Sequence, residues 1–518
     1  MTRVYPLIAL LFCLAHGCSK GDVSSPDADS ASPVDLVTNG GDTGPRCPVW
    51  ATAAGLPQLH VEGRFIKDEY GRTVLLRGIN AGNQAKKPPH LPWEGAAFGE
   101  AAFQEELGRY YDFPANWGMN CIRLTVFWEA IEPIRGQYNE EYVEQTRTQI
   151  QSAVARGLYV FIDFHQDIYS RTLGGSGAPA WALPDPLMEP VPLDNVNWFM
   201  KVFQDEQVAQ VLDWFWENED GVQDSYKAMA VWFSLQFIDE PGVMGIDIMN
   251  EPTPGLKGRE DADFWLNQRL VPLYEHIGNA IHQEDPQKIL FVESTSLEAA
   301  GVPLGEGLPK PELQNMVYSP HYYNTVQFIS GKYDGKVEAI EEGLQKSEDK
   351  GQKMDVPVLL SEYGFRGYSE EGNPEQYLPD HYGVMDDLFM HGTIWSHEVT
   401  QSYWNHEDCA MVNGDWEERP DMADNVARPY PGFTAGDWLS FEFDTTSKTI
   451  QFKYIARDCL GAPTELKLPH RHYPNEPQVS LSFGQWEFDA EGARLLVFDQ
   501  LCETDSPDGK TQTVVVSP

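Results

Sequence analysis

The chain has 518 residues, enough for one large domain and a smaller one. Hydrophobic residues at 42% and aromatic residues at 12% supply a large core, so the composition excludes wholesale disorder. The 37 Lys and Arg against 79 Asp and Glu give a net charge of −42, a field that repels phosphate backbones, so the sequence predicts no nucleic-acid partner.

The first 50 residues predict an export signal and a tether. Arg3 precedes a short apolar run, 7–14, which is far too short to cross a bilayer. The order Leu-Ala-His-Gly-Cys ending at Cys18 resembles a bacterial lipoprotein signal, which implies that residues 1–18 are the signal and that Cys18 carries lipid. The polar stretch 19–50 then forms a flexible tether. We therefore expect an exported protein, a lipoprotein of the outer membrane or cell surface, or otherwise periplasmic or secreted.

The seven cysteines predict no metal site, because the chain has no CxxC motif and no His/Cys cluster. Two of them lie in the signal. Cys121 lies inside an apolar stretch and is predicted to be a buried free thiol. The other four could pair in an exported protein, with the last two a plausible pair, and their connectivity stays open: Cys47, Cys409, Cys459 and Cys502.

Residues 51–427 alternate short apolar segments with longer helical patterns, such as the helix predicted over 140–156. The apolar segments lack strict alternation, as expected of strands that are buried on both faces. The eight predicted strands are 73–80, 120–128, 158–165, 243–250, 288–293, 316–323, 356–363 and 400–404. This order favours an α/β fold, a (β/α)8 TIM barrel. A doubly wound sheet is the rival, but no glycine-rich phosphate-binding sequence follows the first strand.

After residue 427 the pattern changes to short strands with turn residues between them. The strands are predicted over 438–443, 449–456, 478–483 and 494–497, and no helix is evident. We therefore expect a C-terminal antiparallel β-sandwich domain over 428–518, packed on the barrel.

Polar side chains stand where the predicted barrel strands end, the place where TIM barrels carry their chemistry. Buried carboxylates there are costly unless they are partnered or functional. Two of them, Glu251 on strand four and Glu362 on strand seven, would face each other across the barrel mouth. The other strand-end residues are Arg123, Asp163, His165, Asp167, Asn250, His321, Tyr323 and Trp404. Two facing carboxylates suit glycoside hydrolysis.

The two glutamates can be given different roles on physical grounds. Glu362 is the predicted nucleophile, provided that Arg123 and Tyr323 lie beside it and hold it ionised. Glu251 is the predicted acid/base, kept protonated by burial and by repulsion from Glu362. Asn250 would hydrogen-bond the sugar hydroxyl next to the reacting carbon. A retaining enzyme would hold the two carboxyl groups ~5 Å apart.

Each of these signals has a plainer interpretation when taken alone. Arg123 could only bridge loops, and His321 could be a core histidine with satisfied hydrogen bonds. Asp163, His165 and Asp167 alternate along one strand end, so at most two of them could share a ligand. We predict no metal and no cofactor. The combination, in chain order and with each residue at a strand end, is far more specific than any of its parts.

The motifs together resemble the (β/α)8 retaining glycosidases that include glycoside hydrolase family five, and within it the endoglycoceramidases and related glycosylceramidases. The broader likeness is carried by Gly78-Ile79-Asn80, Arg123, His165, Asn250-Glu251-Pro252, His321, Tyr323 and Glu362. The closer likeness is carried by Lys86, the segments 163–170 and 177–182, Arg428-Pro429-Tyr430-Pro431 and the segment 470–474.

The resemblance implies hydrolysis of the β-glycosidic bond between glycan and ceramide, with retention and without a cofactor. Carried over by motif, Glu251 is the acid/base and Glu362 the nucleophile. The first sugar would contact Lys86, His165, Asp167, Asn250 and Tyr323. Trp404 would be the stacking floor beneath it, with Trp395 as the alternative.

A ceramide substrate also requires an apolar groove beside the sugar pocket, and the aromatic stretch 198–216 could line one. The competing interpretation, slightly preferred, is a helix that faces the core. The rival functions are an exo-acting glucosylceramide or steryl β-glucosidase, a β-glucan endoglycanase, and a surface lipoprotein that binds glycans without cleaving them. The expected partners are the β-glycoside substrate and a membrane surface, and the expected state is a monomer.

Overall fold

The computed structural model describes residues 55–184, 205–299, 304–365, 373–402, 404, 407–457, 460, 462–499 and 509–518. The described chain begins with three short antiparallel strands, β1 (Leu59–Glu62), β2 (Phe65–Asp68) and β3 (Thr73–Val74). These three strands precede the barrel in the chain, yet they belong to a different sheet.

Nine parallel strands form the barrel. In chain order they are β4 (Arg77–Ala81), β5 (Cys121–Val126), β6 (Tyr159–Phe164), β7 (Val243–Asp247), β8 (Ile289–Val292), β9 (Met316–Tyr318), β10 (His321–Tyr322), β11 (Leu359–Gly364) and β12 (His391–His397). β9 pairs with β8, and β10 pairs with β11. Because only two residues separate β9 from β10, they are two halves of one strand, and the sheet closes as the predicted (β/α)8 barrel.

The barrel strands form because their side chains are buried on both faces. Every residue of β5 and of β6 is buried, which matches their near-continuous apolar sequences. The α-helices are α1 (Phe103–Asn116), α2 (Trp128–Ile131), α3 (Glu140–Val154), α4 (Glu206–Trp216), α5 (Val222–Leu235), α6 (Leu256–Glu260), α7 (Ala262–Trp265), α8 (Val271–Glu284), α9 (Ser296–Ala299), α10 (Thr325–Ser330), α11 (Val337–Met354), α12 (Pro374–Asp387) and α13 (Pro420–Val426).

The helix predicted over 140–156 is α3. Its N-terminus is capped by Asn139, whose side chain accepts a hydrogen bond from the backbone N–H of Tyr142. Its buried face includes Val143 and Ile150, and the chain leaves it through Gly157 with φ of 78°.

The predicted eighth strand was wrong. The eighth strand is β12 (His391–His397), and the described residues of 400–404 do not form a strand. The polar residues of β12 interrupt its apolar pattern, and two of them form hydrogen bonds inside the protein that the sequence does not reveal. The Leu76 N–H donates to His391 Nδ1 at 3.0 Å, and Thr393 Oγ1 donates to the Ser361 carbonyl at 2.6 Å. Trp404 therefore lies after the barrel, and Trp395 is the tryptophan on the eighth strand.

The C-terminal part forms the predicted antiparallel β-sandwich. Its strands are β13 (Tyr430–Thr434), β14 (Gly436–Asp444), β15 (Thr449–Ala456), β16 (Thr464–Lys467), β17 (Gln478–Leu481), β18 (Gln485–Asp489), β19 (Arg494–Phe498) and β20 (Lys510–Ser517). One sheet has the order β14-β15-β20-β17. The other has the order β1-β2-β3-β13-β16-β19-β18, so it includes the three N-terminal strands. Residues 59–74, which the sequence analysis grouped with the barrel, thus pair with the sandwich.

A buried ionic group joins the sandwich to the barrel. Asp386, in α12, accepts hydrogen bonds from Arg77 at 3.1 Å and from Arg428 at 2.7 Å. Tyr430 Oη also donates to the Gly118 carbonyl at 3.0 Å. The Arg-Pro-Tyr-Pro segment that opens the sandwich therefore contributes side chains to the junction.

Two further predictions concern cysteines and membrane crossing. Cys121 is a buried free thiol, as predicted, and burial raises its pKa. Cys409 is buried as well, whereas Cys47, Cys459 and Cys502 lie outside the described residues. Within the described part of the chain, no helix is long and apolar enough to cross a membrane.

Candidate active site

Arg123 lies at the centre of the barrel mouth and is fully buried. Its guanidinium contacts four carboxylates and two amide oxygens, which come from five barrel strands or the residues just after them. The partners are Asp163 at 3.1 Å, Asp247 at 2.9 Å, Glu293 at 2.6 Å, Glu362 at 2.8 Å, Asn80 at 3.1 Å and Asn250 at 2.9 Å. Arg123 therefore does more than bridge loops, because it holds the strand ends of the site in one cluster.

Glu362, on β11, has the two neighbours that the assigned role requires. Arg123 Nη1 donates to Glu362 Oε1 at 2.8 Å, and Tyr323 Oη donates to Glu362 Oε2 at 2.8 Å. A guanidinium and a phenol O–H both stabilise a negative charge on the carboxylate. The side chain is 8% exposed, so it is largely shielded from water while it still reaches the pocket.

Glu251 follows β7 in a strained backbone conformation with φ of 42°. Burial raises the pKa of its carboxyl group, and repulsion from Glu362 adds to this, while the neighbouring His321 opposes it. His321 Nδ1 lies 2.9 Å from Glu251 Oε1. A carboxylic acid in such surroundings retains its proton above the usual pH range.

The two glutamates are close together. A carboxylate oxygen of Glu251, one of Glu362 and a ring nitrogen of His321 all lie within 4.8 Å of one another. This spacing fits a retaining glycosidase, whose carboxyl groups stand about 5–5.5 Å apart, and is too short for the inverting geometry. His321 is not an isolated core histidine, since both its ring nitrogens face carboxylates, Nδ1 towards Glu251 and Nε2 towards Glu293 at 3.1 Å.

Lys86 is buried and contacts two indole rings. Its ammonium nitrogen is 4.5 Å from the ring centre of Trp395 and 4.2 Å from that of Trp404. It also pairs with Asp167 at 3.0 Å and with Glu407 at 3.8 Å. Although burial opposes the charged form, Asp167 and Glu407 raise the pKa of Lys86 above its usual value.

A tight turn directs Lys86 into this position. The lysine ends a 3-10 helix, Asn83–Lys86, directly after β4. Gly82 begins the turn with φ of 81°, and a Cβ atom there would lie 2.1 Å from Pro92 Cβ. Only glycine allows this approach without moving Pro92.

His165 and Asp167 lie beside Lys86. His165 Nδ1 is 2.7 Å from Asp163, and its Nε2 is 3.5 Å from Asp167. Burial works against a charged ring, but the two aspartates outweigh it and raise the pKa of His165 to about 9. Burial also opposes the ionised form of Asp167, yet Lys86 and His165 hold its pKa below the usual range. The His165 ring stacks on Trp395 with 8° between their planes and 5.3 Å between their centres.

Asn250 is buried, and both ends of its amide are engaged. Its Oδ1 accepts from Arg123 at 2.9 Å, and its Nδ2 donates to the Gln166 carbonyl at 2.9 Å. Gln166 in turn donates to the backbone carbonyls of Asn250 at 3.0 Å and of Glu251 at 2.9 Å. The two loops after β6 and β7 are therefore joined behind the acid/base.

The sequence analysis missed several buried carboxylates of the site. Asp247 and Glu293 contact Arg123, and Glu407 contacts Lys86. Glu293 ended a predicted strand, so the strand-end rule that selected Glu251 and Glu362 would have found it. Glu407 follows a stretch that the sequence analysis had assigned to the eighth strand.

The aromatic stretch predicted over 198–216 is described only from residue 205 onward. The described part is α4, and it buries Val208, Leu212, Phe215 and Trp216. Leu212, Phe215 and Trp216 bound a small apolar cavity that His165 and Gln166 also line. The described part of the stretch is thus a helix that faces the core.

The parallel barrel with two close glutamates after strand four and on strand seven defines a glycosidase. Two family models match the chain: "Cellulase (glycosyl hydrolase family 5)" over residues 69–401 and "Glycoside hydrolase family 5 C-terminal domain" over residues 428–516. The chain therefore belongs to glycosyl hydrolase family 5, and it is a retaining glycosidase, as predicted.

The chain is similar to individual proteins that act on glycolipids, according to their names. Endoglycoceramidase I of Rhodococcus hoagii is 26% identical over 474 residues, which cover 86% of each chain. The solved structure of endo-glycoceramidase II from Rhodococcus sp. in complex with ganglioside GM3 gives a TM-score of 0.72 at 25% identity, covering 88% of this chain and all of that one. A glucosylceramidase of Aspergillus fumigatus is 31% identical over 258 residues, 40% of this chain and 34% of its own.

Proposed function

We propose that this protein hydrolyses the β-glycosidic bond that joins the glycan to ceramide in glycosphingolipids. The main support for this proposal is that a carboxylate oxygen of Glu251 and one of Glu362 lie within 4.8 Å of each other at the mouth of a family 5 barrel. The substrate class is supported by similarity to endoglycoceramidases over most of the chain.

Glu362 acts as the nucleophile in the first step. Its carboxylate attacks the anomeric carbon, while the Glu251 carboxylic acid donates its proton to the departing ceramide oxygen. Tyr323 and Arg123 hold the attacking carboxylate in place. In the second step the Glu251 carboxylate takes a proton from water, and the resulting hydroxide displaces Glu362 from the sugar with net retention.

Lys86, His165 and Asp167 form the polar wall that binds the first sugar, together with Asn250 and Tyr323. Trp395 is the floor for the sugar ring, because it stands on the eighth strand and stacks on His165. Trp404 also contacts the ammonium of Lys86 and orients that lysine. No step of this reaction requires a metal or a redox cofactor.

Export and lipid attachment complete the proposal. The signal over residues 1–18 directs the protein out of the cytoplasm, and acylation of Cys18 anchors it to a membrane. The tether over 19–50 then allows the barrel to reach lipid substrates. Radiolabelled palmitate incorporation into wild type and into Cys18→Ser tests this: label in wild type alone supports the anchor, whereas equal label in both contradicts it.

The test of the activity is incubation of the purified protein with lactosylceramide in a neutral detergent, followed by product analysis. We expect intact lactose and ceramide from wild type and neither product from Glu362→Gln. Release of glucose from glucosylceramide without cleavage of lactosylceramide would support the exo-acting alternative, which the similarity to a glucosylceramidase favours. Turnover of a soluble β-glucan without turnover of the lipid would contradict the proposed substrate class.

A further inference from the structure

Glu293 is a buried carboxylate that follows β8, and the two-step reaction above assigns no role to it. Its side chain is 2% exposed, and both of its oxygens are used. Oε1 accepts from Arg123 Nη2 at 2.6 Å and lies 3.1 Å from His321 Nε2. Oε2 accepts a hydrogen bond from the backbone N–H of Glu251 at 2.7 Å.

The first consequence concerns the charge of His321. A neutral imidazole can donate from only one ring nitrogen, but here both nitrogens face carboxylates, Nε2 towards Glu293 and Nδ1 towards Glu251. A neutral ring that donates to Glu293 can only accept at Nδ1, from a protonated Glu251, whereas the imidazolium form donates to both. Burial disfavours that charge, but Glu293 and Glu362 outweigh it and raise the pKa of His321 well above its usual value.

The second consequence concerns the backbone of Glu251. Its φ of 42° is a conformation that non-glycine residues rarely adopt, so it must be held from outside. The hydrogen bond from its N–H to Glu293 fixes one side of the peptide, and Gln166 binds its carbonyl at 2.9 Å on the other. The direction of the Glu251 side chain depends on this fixed backbone.

Glu293 is itself suited to remain ionised. Burial opposes its charge, but His321 and Arg123 outweigh it and lower the pKa of Glu293 to about 2. Tyr274 Oη donates to its backbone carbonyl at 2.9 Å, which fixes the end of β8. The charged and titratable groups that face this cluster from the surrounding elements are Lys86, Arg123, Asp163, Tyr226, Asp247, Tyr274, Tyr318, Tyr323 and Glu362.

We propose that Glu293 is a positioning residue of the glycosidase: its two oxygens fix the charge of His321 and the backbone of Glu251, and through both they set the pH range in which the acid/base works. The inference rests on the proposed function, because it assumes that Glu251 is the acid/base. Glu293 itself does not touch the substrate.

The test is Glu293→Gln, which keeps the length of the side chain and removes its charge. Without that anion His321 becomes neutral in the working pH range. Glu251 then loses the facing cation that lowers its pKa, and this outweighs the lost repulsion from Glu293, because His321 has the larger influence of the two. We expect the basic limb of the kcat/KM profile on lactosylceramide to move to higher pH by about one unit, with a lower kcat and a KM close to wild type.

Asp247→Asn is the matched control. Asp247 also contacts Arg123 in the same buried cluster. Burial and the nearby Glu293 raise its pKa well above the usual value, which favours the protonated form, and it is Glu293 rather than Asp247 that contacts His321 and the Glu251 N–H. We expect the pH limbs of this variant to coincide with those of wild type.

A second variant keeps the inference testable if Glu293→Gln does not fold. His321→Gln removes the cation that Glu293 holds, so it should move the basic limb in the same direction, and the double variant should show no additional shift. A basic limb at the wild-type pH in Glu293→Gln, or in His321→Gln if only that variant folds, would overturn the inference. Additive shifts in the double variant would do the same.

The outcomes also separate this inference from the proposed function. A wild-type protein that does not cleave lactosylceramide refutes the proposed function, whatever the variants do. A bell-shaped wild-type profile with an unmoved basic limb in Glu293→Gln refutes only the role of Glu293.

Discussion

At the scale of single residues, two chemically identical glutamate side chains receive different roles because their neighbours differ. Glu362 faces a guanidinium and a phenol O–H, which stabilise its charge. Burial raises the pKa of Glu251, and repulsion from Glu362 raises it further. Environment therefore assigns attack to Glu362 and proton donation to Glu251.

This division predicts a dependence on the leaving group. Glu251→Gln removes the proton donor, so hydrolysis of lactosylceramide should slow by about 10²–10⁴-fold. A nitrophenyl lactoside needs no protonation to leave, so its first step should be nearly unaffected. The measurement is the pre-steady-state burst of nitrophenol. Equal losses on both substrates would show that Glu251 is not the acid.

His165 predicts a pH dependence of stability. Asp163 and Asp167 outweigh burial and raise its pKa from 6.5 to about 9 in the folded protein. A group raised in this way contributes its full stabilisation below pH 6.5 and loses it as the pH rises through about 9. The difference in unfolding free energy between wild type and His165→Gln, measured by chemical denaturation, should therefore shrink across that window. If this difference in unfolding free energy stayed constant across the window, His165 would not be charged and paired with the two aspartates.

At the scale of elements, most of the barrel could be predicted because its strands are continuous apolar runs. The eighth strand could not, because His391, Thr393 and His397 break the apolar pattern and only tertiary contacts satisfy them. The short strands β1–β3 likewise carry too little pattern to show that they pair with residues more than 300 positions away. The search for polar residues at the ends of predicted strands located the two key glutamates. The positions of the carboxylates in the sequence could not show which of them would contact Arg123.

The correction to the eighth strand predicts a difference between two tryptophans. Trp395→Ala removes the proposed sugar floor, so kcat/KM on a soluble aryl lactoside should fall about tenfold to a hundredfold. Trp404→Ala leaves Trp395 against Lys86 and should cost clearly less. Initial rates of both variants are measured, and their melting temperatures are compared to confirm that both are equally well folded. A larger loss of kcat/KM in Trp404→Ala than in Trp395→Ala would show that Trp404 is the residue on which the sugar stacks.

At the scale of the whole molecule, the barrel and the sandwich share buried charges as well as apolar surface. Asp386 pairs with both Arg77 and Arg428 at the junction, and all three side chains are less than 10% exposed. Removing one member of such a group leaves the others buried without compensation. The sandwich therefore contributes to the stability of the barrel that carries the site.

Asp386→Asn should destabilise the protein by about 3–5 kcal/mol, because two guanidinium groups would remain buried against a neutral amide. Glu342→Gln is the control, since its pair with Lys346 is more than 70% exposed on both sides and its loss should not be measurable. Denaturant midpoints of the two variants provide the comparison. Similar midpoints would show that the junction does not depend on the ion pairs.

The proposed reaction requires Glu362 to form a covalent bond to the sugar during cleavage at the glycan–lipid linkage. The most direct measurement is mass spectrometry of the protein after reaction with an activated 2-deoxy-2-fluoro-β-lactoside, whose glycosyl-enzyme intermediate breaks down slowly. We predict a mass gain of one fluorolactosyl group, carried by the peptide that contains Glu362 and absent from Glu362→Gln. An adduct on any other residue, or steady hydrolysis of this reagent without an adduct, would contradict the account.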